Sequence, residues 1–175
     1  MNTIDYSIIL LGTIIIYYSR SSLLRPQSYG FYRFFSWEII LVQFAINRVG
    51  WFRNAGSWNQ LISWILLIGS IIFLILGIRS IRKFGQSVTY FEATTHLVRI
   101  GIFKYIRHPM YASLLLLTWG IFLKSPSWQD FLITISASIF LYATAQIEEK
   151  ENIYKFGTAY LDYKKETKRF IPYIF

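Results

Sequence analysis

The chain has 175 residues, 54% of them hydrophobic and only 15% charged, with 18 lysines and arginines against 9 acidic residues and a net charge of +9. That length suits one domain, but the composition is too apolar for an ordinary soluble one and points to an integral membrane protein. The absence of cysteine excludes a disulfide framework, a thiolate metal site and a cysteine nucleophile, and two histidines argue against a multi-histidine metal centre.

Five apolar runs follow one another: Ile4 to Tyr18, Phe34 to Ile46, Leu61 to Ile78, Met110 to Leu123 and Phe131 to Ile147. The first has no basic stretch before it and no small-residue cleavage site after it, so it reads as a retained span and not as a removable signal peptide. A helix needs about 20 residues to cross the hydrocarbon core. Only the third run meets that by itself; the first, second and fifth borrow flanking Tyr, Trp and Phe, which favour the interface. The fourth is short even so. Glu38 lies near the start of the second run, with Gln43 five residues on, and is expected to be a helix-packing residue, either paired with Arg33 or Arg48 or placed at the interface.

Between the fourth and fifth runs, Lys124-Ser125-Pro126-Ser127 ends one helix and offers Ser127 as a cap for the next, which predicts a helical hairpin. The tail, with Tyr154, Phe156, Tyr160 and Tyr163 among lysines, has the character of a basic aromatic helix anchored at the interface. The fold class expected is all-α: a polytopic membrane protein with about five transmembrane helices, the last two a hairpin, plus a C-terminal cytosolic helix. Within one domain, residues 1–78 supply the N-terminal spans and residues 79–175 the loop, hairpin and C-terminal segment.

Five crossings put the Ser19 to Arg33 loop, the Arg79 to Arg107 loop and the tail on one side. That side then holds all of the 18 lysines and arginines except Arg48, Arg53 and Lys124. The positive-inside rule makes the long loop and the C-terminus cytoplasmic and leaves the N-terminus outside. Because these basic residues flank apolar runs, anionic lipid headgroups are the expected counter-charge and nucleic acid is not. There is no glycine-rich phosphate loop, dinucleotide fingerprint, Ser/His/Asp constellation or zinc-type spacing.

The most informative segment is Arg107-His108-Pro109-Met110-Tyr111, where a basic loop turns into the fourth apolar run. Ionisable groups at such a boundary are functional candidates. A purely structural reading has Arg107 snorkelling to headgroups and Pro109 in the first turn of a helix, where its missing N–H costs nothing. A second polar cluster, Glu148-Glu149-Lys150-Glu151, ends the paired run, and the hairpin returns it to the same depth. His108 and Glu148 are therefore expected to face one pocket. Carboxylates at a helix C-terminus oppose the macrodipole by about 0.3 to 1 kcal/mol, which argues for a reason beyond solvation.

The spacing Leu97-Val98-x-x-Gly101-x-Phe103-x-x-x-Arg107-His108-Pro109-x-Tyr111, then Glu148-Glu149, then Phe156-Gly157-x-x-Tyr160-x-x-Tyr163 and Arg169-Phe170-Ile171-Pro172, resembles the isoprenylcysteine carboxyl methyltransferase and phospholipid methyltransferase superfamily. The likeness covers roughly the C-terminal half. It implies an all-helical membrane enzyme that binds S-adenosyl-L-methionine and methylates a lipophilic acceptor arriving from the bilayer, either an isoprenylcysteine carboxylate or a phospholipid amine. By position, Thr95, His96, Leu97, Val98 and Phe103 would line the cofactor. His108, Pro109, Met110 and Tyr111 would hold its polar end, Glu148 would bind it from the opposite side, and Glu148 with Arg107 would carry the catalytic roles.

Three positions depart from the family pattern. A histidine usual at the position of Thr95 is displaced to His96, Phe103 replaces a tyrosine, and Thr144 stands where carboxyl methyltransferases hold the substrate carboxylate with an arginine. Threonine supplies neither that charge nor the bidentate geometry. Two other functions compete: a membrane reductase of the sterol and steroid type, which would bind NADPH, and a non-catalytic membrane scaffold. The sequence carries no statement of oligomeric state.

Overall fold

The computed structural model describes residues 3–84 and 96–174. Among them six α-helices form and no strand does: α1 Thr3–Leu23, α2 Tyr29–Asn47, α3 Trp58–Phe84, α4 Pro109–Phe122, α5 Trp128–Phe156 and α6 Thr158–Glu166. The all-helical expectation holds, including the short helix near the C-terminus. Each boundary has a local cause. Pro109 opens α4 where its ring presets the helical dihedral, and Gly157, at a φ of +59°, breaks α5 from α6.

Two helices combine the length and apolarity needed to cross a membrane, α3 over Trp58–Lys83 with a mean hydropathy of 2.8 and α5 with 1.4. The five crossings expected are thus licensed for two helices on these grounds. α1 and α2, with 21 and 19 residues, have the length but carry Asp5, Arg20, Arg33 and Glu38 among their apolar residues. α4 has 14 residues, which at 1.5 Å each span about 21 Å, short of the hydrocarbon core of about 30 Å.

The chain packs as two compact units, one from residues 1–67 and 115–148 and the other from 68–114 and 149–175. In the first, α1 and α2 form an antiparallel hairpin. Arg48 at the end of α2 pairs with Asp5 at the start of α1, and at the turn Gly30 lies so close to Ser22 that a β-carbon on it would stand 2.4 Å from the serine hydroxyl. Stacked Phe35 and Phe140, 5.3 Å between ring centres, join α2 to α5.

Polar side chains tie the remaining helices of this unit together. Fully buried Gln43 donates to the Thr118 carbonyl at 3.1 Å and to the Thr134 hydroxyl at 2.8 Å, while its own oxygen accepts from the Thr118 hydroxyl. One amide thereby links α2, α4 and α5. Gln60 of α3 donates to the carbonyls of Gly50 and Lys124, and accepts from the Lys124 ammonium at 3.1 Å. The Lys124 ammonium also sits 3.6 Å over the Trp64 ring, a cation–π contact strengthened by its burial. The expected cap is present, since Ser127 Oγ accepts from the Asp130 N–H at 3.1 Å.

Interhelical hydrogen bonds in membrane proteins average about 0.6 kcal/mol and reach about 1.7 kcal/mol. Gln43→Leu removes several at once and leaves the Thr118 hydroxyl without its acceptor. It should destabilise the protein by about 1–3 kcal/mol, read as a lowered unfolding midpoint in detergent, whereas Val42→Leu on the exposed face of α2 should leave the midpoint unchanged.

Candidate functional site

The second unit is assembled from the end of α3, the segment leading into α4, the end of α5, α6 and the tail. Gly101 opens a single 3-10 turn, Gly101–Lys104, with a φ of +64°. A β-carbon there would stand 2.5 Å from Ser80 Oγ of α3, so both dihedral and space require glycine. The turn leads into Ile106, which forms an isolated parallel bridge with Lys168. The Arg107 N–H donates to the Lys168 carbonyl at 2.8 Å and the His108 N–H to the Arg169 carbonyl at 3.1 Å. The tail is thereby laid along the residues that enter α4.

At the centre is Glu149, whose side chain is 3% exposed. Arg107 Nε donates to its Oε1 at 3.0 Å. Arg169 meets it bidentately, Nε to Oε1 and Nη2 to Oε2, both at 3.0 Å. Lys164 Nζ lies 3.0 Å from Oε2 and His108 Nε2 lies 3.5 Å from Oε1. Arg107 also donates to the carbonyls of Lys164 and Thr167. One carboxylate thus joins the entry to α4, α6 and the tail by charge-assisted bonds.

Aromatic rings close the other side. Tyr111 stacks on His108 with ring centres 5.5 Å apart, and Phe170 approaches the same imidazole at 6.2 Å. Tyr160 and Tyr163 are both buried, so the tail aromatics expected at the interface instead pack inward, and of the four only Tyr154 is fully exposed. Burial raises the Tyr163 phenol well above its ordinary range against the lowering effect of Arg107 and Arg99. Its hydroxyl accordingly keeps its proton and donates to the Phe103 carbonyl at 2.7 Å. Arg99 donates to the Ala159 carbonyl and fastens the same segment to α6.

Of the residues singled out in the sequence, Arg107, His108, Pro109, Met110 and Tyr111 occupy the entry and first turn of α4, with His108, Pro109 and Tyr111 buried and Met110 half-buried. Val98 is buried, Leu97 and Phe103 are half-buried, and His96 is exposed. Thr95 lies outside the described residues. Glu148 is half-buried, and the carboxylate that this unit brings to His108 is its neighbour Glu149. Lys164 and Thr167 were not anticipated at all, and Arg169 only as part of the spacing that carries the family resemblance. The signal for Lys164 was its place one turn after Tyr160 on the inward-facing side of α6. Thr144 is fully buried and its hydroxyl donates to the Phe140 carbonyl of its own helix at 2.7 Å.

Three cations surround one carboxylate, so the cluster carries a surplus of two positive charges if His108 is neutral. Lys164 and Arg169 remain partly accessible, with side-chain exposures of 33% and 16%. Such an arrangement can hold an anionic group at its open side while Glu149 fixes the cations in place. Among the described residues no group of three or more His, Cys, Asp or Glu is placed to hold a metal ion.

The profile of a family described as phospholipid methyltransferase matches residues 58–159, a stretch that takes in Arg107 to Tyr111 and both Glu148 and Glu149. No curated protein matches the chain.

Removing one partner of a buried ion pair leaves the other charge uncompensated and costs about 3–5 kcal/mol, whereas exposed pairs are worth about 0–1 kcal/mol. Glu149→Ala should therefore destabilise the protein by about 3–5 kcal/mol, and Lys164→Ala, removing a third-exposed ammonium, by less than about 1 kcal/mol. Unfolding midpoints of the two variants check the ratio; equal losses would show that Glu149 is not the centre of the cluster.

Proposed function

Because the chain belongs to the phospholipid methyltransferase family of membrane methyltransferases, we propose that it transfers a methyl group from S-adenosyl-L-methionine to the amine of a lipophilic, membrane-embedded acceptor. The single observation that carries this reading is the family match running through Arg107 to Tyr111 and Glu148-Glu149. In this reading five helices cross the bilayer, the long loop and tail are cytoplasmic, and the N-terminus is outside.

The residues present suit the cofactor by their chemistry. S-adenosyl-L-methionine offers an amino-acid carboxylate, which the partly accessible Lys164 and Arg169 would accommodate, and an adenosyl group, which the apolar and aromatic side chains of Val98, Phe103 and Tyr111 would accommodate. Thr95, His96 and Leu97 precede these in the chain, and Pro109 and Met110 complete the turn that carries His108. Glu148 would accept from the cofactor's ribose or ammonium. When bound, the cofactor supplies a methyl group on a sulfonium.

The protein's own part is alignment and the handling of one proton. In-line attack draws most of its advantage from orientation and exclusion of water. An amine attacks only as the free base, so a group must take its proton first. Glu148 is the carboxylate we assign to that step, and Arg107, braced by Glu149, is assigned to hold the acceptor's anionic phosphate. An amine is favoured over a carboxylate acceptor because Thr144 is buried and its hydroxyl is committed to the Phe140 carbonyl. It cannot grip a carboxylate as an arginine would.

Calorimetric titration of the detergent-purified protein with S-adenosylhomocysteine tests the cofactor step. Saturable binding is expected, weakened by about tenfold or more, which is 1.4 kcal/mol, in His108→Ala and Glu148→Ala. Incubation with S-adenosyl-L-methionine and phosphatidylethanolamine vesicles should then yield the N-methylated lipid. A folded protein that binds no S-adenosylhomocysteine would overturn the proposal, and NADPH binding in its place would assign it to the reductases.

A further inference from the structure

A second candidate site lies wholly within the α1–α2 hairpin and uses none of the residues of the Glu149 cluster. Residues of both helices line a groove of about 480 Å³, within the range of about 300–1,000 Å³ typical of small-molecule sites. Its walls are Ile8 and Ile9 of α1 and Leu41, Val42, Ala45 and Ile46 of α2. The spacing of these residues is that of one helical face on each side. Asp5 and Arg48, paired with each other, stand at one end. Glu38 stands at the other, ten residues back along α2, or about 15 Å at 1.5 Å per residue.

Glu38 is what makes this groove more than a seam between helices. Its Oε1 is shielded from solvent and accepts no hydrogen bond among the described residues. The two cations expected to pair with it are committed elsewhere. Arg48 serves Asp5, and the Arg33 guanidinium lies over the rings of Trp37 and Tyr29, at 4.9 and 5.2 Å. Gly12 faces the carboxylate across the groove, where a β-carbon would already touch Glu38 Oε2 at 3.4 Å. A larger residue at position 12 would fill the space beside the carboxylate, so the glycine keeps it open.

An ionisable side chain midway along a helix of a membrane protein calls for a partner. An apolar channel ending in an acidic group selects a molecule with a hydrocarbon body and a hydrogen-bonding cation. The geometry points to the α1–α2 groove as a binding site for a lipophilic amine, with its ammonium on Glu38 and its chain along Leu41, Val42 and Ala45. A lipophilic alcohol offers a donor without the charge, and a fatty acid is repelled. The charge of Glu38 therefore sets the preference among amphiphiles of equal chain length.

The test uses the full chain in nanodiscs with a diazirine-bearing alkylamine, photolysed and mapped by peptide mass spectrometry. Saturable labelling of α1 and α2 is expected, displaced by dodecylamine and not by dodecanol. Glu38→Gln should raise the concentration needed for half-labelling by about tenfold or more, equivalent to 1.4 kcal/mol, and Gly12→Leu should abolish labelling by filling the groove while keeping the carboxylate. Unfolding midpoints verify that both variants fold, and if one does not, the other decides. Equal displacement by amine and alcohol, undiminished labelling in a folded variant, or cross-linking of these peptides to a second copy in place of the probe would overturn the assignment.

Discussion

A single buried carboxylate, Glu149, governs how the C-terminal half of the chain is put together. α5 runs on to Phe156, nine residues past the apolar stretch that ends at Ile147, and the first buried position it offers there is this glutamate. Arg107, Lys164, Arg169 and His108 reach it from three separate segments. Burying a carboxylate is unfavourable by itself, and Glu149 is held because both of its oxygens are bonded to cations, while the surplus positive charge falls on Lys164 and Arg169, which keep partial access to water. The backbone bridge at Ile106 and Lys168 sets the register of the tail, and the carboxylate sets which side chains that register delivers.

This arrangement also explains why Arg107 and His108 are fixed before any ligand arrives. An arginine at a membrane boundary ordinarily has many rotamers and snorkels towards headgroups. Here Arg107 is bound through Nε to Glu149 and through a terminal nitrogen to two backbone carbonyls, and His108 is held between the Tyr111 and Phe170 rings. The entropy of ordering both is met in folding and not in binding, which is how a site gains from preorganisation.

Much of the fold was legible because it follows from local rules. Pro109 opening α4, Pro126 and Ser127 separating the last two long helices, and Gly157 ending α5 are all consequences of backbone chemistry within a few residues. The Arg107 to Tyr111 motif was legible for the same reason. The choice between Glu148 and Glu149 was not, since adjacent residues on a helix point about 100° apart and only the long-range partners Arg107, Lys164 and Arg169 decide which one turns inward. Tyr160 and Tyr163 misled in the same way: their spacing suits an interfacial helix, but Tyr163 is claimed by a carbonyl sixty residues earlier. Gln43 carried no local signal of its part in three helices, because that depends on Thr118 and Thr134 meeting it in space.

The polar groups of the first unit bear on the charge asymmetry of the whole chain. Arg48, Arg53 and Lys124 are the three basic residues that the proposed five-crossing topology leaves off its strongly basic side, and two of them are not free surface charges. Arg48 is paired with Asp5, and Lys124 is buried with its ammonium on Gln60 and the Trp64 ring, where burial lowers its tendency to hold a proton. What a membrane senses during insertion is the basic residues that stay in water beside the spans. Internal partners leave Arg53 alone of those three, but on the other side they also engage Arg99, Arg107, Lys164 and Arg169, so pairing thins both sides and the basic excess of the loop before α4 and the tail persists. In the proposed orientation it is that excess, and not the internally paired charges, that favours the cytoplasmic side for the loop before α4 and the tail.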